Sequence, residues 1–159
     1  MKRTYFREIG AALFILILII SSCSHLKQAH QCYEQGAYSQ VIRLCRQAIQ
    51  ADSSDTQAYF LMGNALEHLD SLQSAAEAFT ACVRQDADQI KYRQSVNRVL
   101  LKRARQARQD SSYYEALKFI ERAESFYSDS TQQLSLKADV LRDMGKHDQA
   151  ETLYHVLLT

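Results

Sequence analysis

The sequence predicts an all-α fold, an array of about four antiparallel helical hairpins following an apolar N-terminal segment. Three observations support this. Proline is absent from the 159 residues and glycine numbers only 4, which favours long helices joined by short turns. Apolar residues recur at helical spacing, as Tyr59, Met62, Gly63 and Leu66 do at i, i+3, i+4 and i+7, and no segment alternates apolar and polar residues as a half-buried strand would. Turn residues also repeat at a fixed interval. Gly36 and Asp70 stand 34 residues apart, Ser111 and Gly145 again 34, and the middle step from Asp70 to Ser111 is 41, so the third unit carries 7 extra residues. A hairpin that is apolar on one side cannot bury that side alone; hairpins stacked at such a period can.

Residues 1–22 differ in kind from the rest. Lys2, Arg3 and Arg7 form a basic head, and residues 11–20 (AALFILILII) are an unbroken apolar run. That run is shorter than the ~20 residues of a spanning helix and fits the apolar core of a signal peptide. Ile20, Ser21, Ser22 and Cys23 follow. This aliphatic–small–small–Cys order resembles a bacterial lipobox, which implies cleavage before Cys23 and lipidation of its thiol; an uncleaved anchor is the alternative. Several acyl chains hold a protein firmly where one binds only marginally. Ser24, which is not Asp, implies by the same resemblance a periplasmic-facing lipoprotein of the outer membrane.

The remaining chain, 23–159, divides into units of roughly 24–55, 56–89, 90–130 and 131–159. Unit one is expected to hold helices over 24–35 and 37–51. Asp52, Ser53, Ser54 and Asp55 offer cap oxygens to a helix over 56–69, and a second helix spans 72–85. In unit three, Asp86, Ala87 and Asp88 open a long helix running to 109, whose length absorbs the insertion as about two turns. Asp110, Ser111 and Ser112 cap a helix over 113–126. Ser128, Asp129 and Ser130 cap one over 131–144, and the last runs from His147 to the end. Leu153, Tyr154 and Leu157 lie on that last helix with no polar helix after it. Solenoids normally end on a polar cap, so this edge is expected to meet a partner or a second copy in a homodimer, unless the last turn frays.

Residues 56–88 carry the most specific pattern. Tyr59, Met62, Gly63 and Leu66 in the first helix, then Ala75, Phe79 and Cys82 in the second, resemble a tetratricopeptide repeat. Asp70 and Ala87 stand where that family usually has Gly and Pro. The other units keep weaker versions, as in Ala29, Tyr33 and Gly36 or Ala138, Gly145 and Tyr154. The resemblance covers roughly 24–159. It implies a right-handed α-solenoid whose first helices line a groove for peptides.

Composition narrows the function. A net charge of +1 argues against a nucleic-acid binder, and Tyr92 and Tyr113 do not form a base-stacking series. Yet Lys91, Arg93, Arg98, Lys102, Arg103, Arg105 and Arg108 crowd 18 residues with no acid between Lys91 and Asp110. Arg98, Lys102, Arg105 and Arg108 share helical spacing. By resemblance, Asn64 and this basic set imply a clamp for a peptide carboxylate or an acidic segment. A solvated face, or one drawn to anionic lipid, is the alternative. Cys32, Cys45 and Cys82 fall on packing stripes, where thiols act as small apolar groups; a Cys32–Cys45 disulfide stays open. His30 and Cys32 have no third ligand at metal spacing. No triad, nucleophile elbow or phosphate-cradling loop can be assembled, so neither catalysis nor a cofactor or metal is expected.

Overall fold

The computed structural model describes residues 25–128 and 130–158. The signal segment 1–22, the lipidation candidate Cys23, and Ser24, Asp129 and Thr159 lie outside the described residues. Within them the protein is all helix: α1 (residues 25–34), α2 (Tyr38–Ala51), α3 (Thr56–His68), α4 (Leu72–Gln85), α5 (Ile90–Gln109), α6 (Tyr113–Phe126), α7 (Ser130–Asp143) and α8 (His147–Leu158). The expected all-α class of helical hairpins is what the chain adopts, with no strand among the described residues.

The turns explain the period. Among the described residues, four have φ in the left-handed region: Gly36 (73°), Asp70 (55°), Ser111 (57°) and Gly145 (77°). They are the four positions from which the spacing was counted. Each closes a helix in the same way. The residue after it donates its N–H five residues back, Ala37 to Cys32, Ser71 to Leu66, Ser112 to Ala107 and Lys146 to Leu141, at 2.8–2.9 Å. This is the Schellman ending, which satisfies carbonyls that a helix end leaves orphaned. Glycine adopts the required φ freely; Asp70 and Ser111 adopt it at a cost.

Helix starts follow the expected caps less closely. Asp55 accepts the Ala58 N–H at 2.9 Å, as a capping aspartate should. Asp52 instead accepts from the N–H and hydroxyl of Ser54. The acids before α5 do not begin it: the Asp86 N–H bonds back to the Cys82 carbonyl at 2.9 Å, closing α4, and α5 starts at Ile90 behind Gln89, which makes no side-chain cap. Ser112 likewise precedes α6 without a side-chain cap.

The chain falls into two compact units, dividing between Ser71 and Leu72. In the first, α1, α2 and α3 share a core of Ala29, Val41, Leu44, Cys45, Ala48, Ala58, Leu61 and Ala65. The apolar face of α3 is therefore centred on Ala58, Leu61 and Ala65. Tyr59 and Met62, expected on the packing stripe, are only half-buried. Tyr38 stacks on His68 (centroids 4.4 Å, interplanar 2°), and the Tyr33 hydroxyl lies 3.0 Å from His68 Nε2, so one aromatic cluster ties all three helices.

The second unit is built on α5. This 20-residue helix packs against α4, α6 and α7, and Leu100, Leu101 and, from α6, Ile120 are almost wholly enclosed. Burial of each such side chain contributes roughly 2 kcal/mol. Helix α7 adds Leu136, Val140 and Leu141, whereas α8 contributes only Ala150 as a fully buried residue.

Candidate functional site

The seven cations of α5 do not form one patch. At 100° per residue, Lys91, Arg98, Lys102 and Arg105 point to one side of the helix, and all four are exposed. Arg93, Arg103 and Arg108 point elsewhere, each toward a neighbouring element. The Arg103 guanidinium sits 4.0 Å over the Phe119 ring and bonds Gln73 Oε1, and burial lowers its pKa. Arg108 donates from Nε to Asp143 at 2.6 Å and from Nη1 to Asp139 at 3.0 Å.

Arg108 thus belongs to a polar network that links α5, α7 and α8. The Tyr154 hydroxyl donates to Asp139 at 2.7 Å, and Arg142 reaches Tyr154, Asp139 and Asp143 at 3.2–3.5 Å. The hydrogen bond from Arg108 holds the Asp143 carboxyl below its usual range, and the one to Asp139 pushes the Tyr154 hydroxyl up. The peptide-clamp candidate Arg108 and the partner-edge candidate Tyr154 are therefore both engaged within the protein. Leu153 and Leu157, the other edge candidates, are half-buried, while Val156 and Leu158 on the same helix are exposed.

Of the remaining candidates, Arg98, Lys102 and Arg105 are brought together on the exposed side of α5. Arg98 also lies 5.9 Å over the Phe79 ring. Asn64 is half-buried on α3, in the other unit. Cys32, Cys45 and Cys82 form no disulfide among the described residues, and burial raises Cys45 and Cys82 to about 12, so both stay protonated. No cluster of metal-ligating side chains occurs among the described residues, and no described helix is long and apolar enough to cross a membrane.

A cleft opens beside Arg98, lined by Gln94, Asn97, Tyr127 and Gln132. Its floor rests on two buried amides that composition and charge did not single out. Asn97 donates to the Ala123 and Tyr127 carbonyls at 3.2 and 2.9 Å, and Gln133 donates to the Tyr127 carbonyl at 2.6 Å. These bonds satisfy the carbonyls at the end of α6. The signal was in the sequence: Asn97 shares a face with Leu101 and Ala104, and Gln133 one with Leu136 and Val140. An amide on an apolar stripe calls for a buried partner.

No protein-family model matches the chain, and no curated protein matches it in sequence. Solved structures do match in fold. The crystal structure of MamA aligns with a TM-score of 0.58 at 16% identity, covering 99% of this chain and 90% of that one. YrrB, described as a TPR protein with an unusual peptide-binding site, gives 0.52 at 18%, covering 84% and 65%. The first TPR of Spaghetti (RPAP3), bound to the HSP90 peptide SRMEEVD, gives 0.52 at 13%, covering 79% and 94%. The fold of this chain is that of the tetratricopeptide-repeat proteins.

Proposed function

We propose that the protein is a non-enzymatic scaffold that holds another protein or peptide in the bacterial cell envelope. It would be anchored through lipidated Cys23 on the periplasmic face, at the outer membrane, and act as an assembly factor for an envelope complex. The observation that carries the binding role is the exposed run Arg98, Lys102 and Arg105 on α5. Three exposed cations on one helix complement an acidic segment. Two solved proteins of this fold are described as peptide binders, one with a peptide containing three acidic residues. The anchor rests on the basic head, apolar run and Ile20–Ser21–Ser22–Cys23 order.

Charge reversal at Arg98, Lys102 and Arg105 together tests the binding role. It should abolish capture of the partner from crosslinked envelopes and leave helical circular dichroism unchanged. Unchanged capture would overturn it. A second reading, favoured by the same exposed cations, is contact with anionic lipid. In that case protein lacking residues 1–23 should still bind vesicles containing anionic phospholipid, and lose that binding with the reversal. A mass spectrum of the native protein tests the anchor: it should show loss of residues 1–22 and acyl chains on Cys23.

A further inference from the structure

The extra length of α5 creates a second cleft. Helix α5 has 20 residues and its partner α6 only 14. The bonds from Asn97 to Ala123 and Tyr127 set the end of α6 level with Asn97, so residues 90–95 run on past it. The chain leaving α6 is extended at Tyr127 (φ −155°, ψ 113°), and Tyr127 and Ser128 lie beside this overhang. Between them lies a cleft walled by Ile90, Arg93, Glu124, Phe126, Tyr127 and Ser128. Arg93 is turned about 140° around the helix from Arg98, so this cleft is distinct from the exposed basic side of α5.

Its walls are chemically mixed in a specific way. Arg93 Nε is shut off from solvent and makes no hydrogen bond. A buried donor of a charged group without an acceptor costs free energy that a matching acceptor would recover. Among the described residues of the wall, the one carboxylate, Glu124, is already paired with Lys137 at 3.5 Å. No acid stands in the first turn of α5, and its N-terminus has no side-chain cap, so the helix dipole there favours a negative group, although Asp86 and Asp88 stand just before it. Beside the guanidinium, Ile90 is 53% exposed and Phe126 half-buried.

We propose that this cleft binds a peptide segment of another protein through a carboxylate placed on Arg93 and an adjacent apolar side chain laid on Ile90 and Phe126. A small rotation of the guanidinium presents its Nε–H and one Nη–H to the two carboxylate oxygens, the planar pairing that arginine makes and lysine does not. The apolar neighbour covers Ile90 and removes water from the pair. The site rests on the wider reading of the protein as a protein-binding scaffold, though not on the Arg98, Lys102 and Arg105 side.

The test is a titration of the ¹⁵N-labelled full chain in detergent with N-acetyl-phenylalanyl-aspartyl amide, followed by amide shifts. Saturable shifts are expected at residues 90–93 and 125–128. Binding should weaken about tenfold or more in Arg93→Met and for the asparaginyl analogue of the probe, which lacks the charge. Ile90→Ser, an exposed substitution that leaves the fold intact, should weaken it several-fold, and Lys118→Met, an exposed substitution elsewhere on α6, should not. Shifts that do not saturate, or that survive in Arg93→Met and for the neutral analogue, overturn the proposal. Shifts confined to Arg98, Lys102 and Arg105 also overturn it, and leave the scaffold reading standing on the other side of the helix.

Discussion

The residue that most simply reports on this fold is the one with positive φ at each turn. Gly36 and Gly145 are surrounded by open space, with nothing within 4 Å of where a Cβ would sit. Replacement by alanine therefore meets no neighbour, and its whole cost is the left-handed backbone. Gly36→Ala and Gly145→Ala should each destabilise by about 1 kcal/mol. The equivalent turns already bear that cost in Asp70 and Ser111, so Asp70→Gly and Ser111→Gly should each stabilise by about 0.5 kcal/mol after the extra entropy of unfolded glycine is subtracted. Urea denaturation of the four variants checks the opposite signs. A loss at all four sites would mean that Asp70 and Ser111 contribute through their side chains. The amides pose a second residue-scale case. Asn97→Leu removes one donor from the Ala123 carbonyl, which keeps the Tyr127 N–H, and one from the Tyr127 carbonyl, which keeps Gln133, and should cost about 1 kcal/mol. Asn97 and Gln133 converge on one carbonyl, that of Tyr127, so the double variant with Gln133→Leu should depart from additivity.

Among the elements, α5 illustrates what a sequence reveals and what it hides. Its length and its run of cations were legible, because insertion and composition are local properties. The division of those cations was not. The acids that engage Arg108 are Asp139 and Asp143, 31 and 35 residues downstream, and no spacing rule within α5 can find them. Arg103 was hidden for a similar reason: its partner, the Phe119 ring, belongs to another helix. The ion pairs around Arg108 are half-exposed, and such pairs are worth no more than about 1 kcal/mol each. Their sign with pH is nevertheless fixed. The Asp143 carboxyl is held below its ordinary value of 3.8, first by the hydrogen bond from Arg108. A depressed acid stabilises the fold above the unfolded value and loses that contribution as pH falls through the folded one. Asp143→Asn should thus be less stable than the parent at pH 7, and the gap should close below pH 3.8. A gap that persisted in acid would assign the effect to packing.

Across the whole molecule, the period of 34 was readable because each hairpin needs a left-handed residue after its first helix, and the chain repeats that need even where it does not use glycine. How evenly stability is spread could not be read this way, because apolar stripes look alike whether or not another helix covers them. Leu153, Tyr154 and Leu157 on α8 resemble the stripe of any inner helix, yet α8 has one fully buried residue in 12 where α5 has nine in 20. Local opening follows buried contact, and repeat proteins open from elements with few neighbours. Native-state hydrogen exchange should therefore rank amides of residues 96–104 as the slowest in the second unit and those of α8 as the fastest helical ones. A ratio of at least about 100 in protection corresponds to roughly 2.7 kcal/mol of difference in opening free energy. If α8 instead exchanged as slowly as α5, its exposed Val156 and Leu158 would have to be covered in solution. The slow exchange would then depend on protein concentration if a second copy supplies the cover, and diluting the sample separates that case from any other.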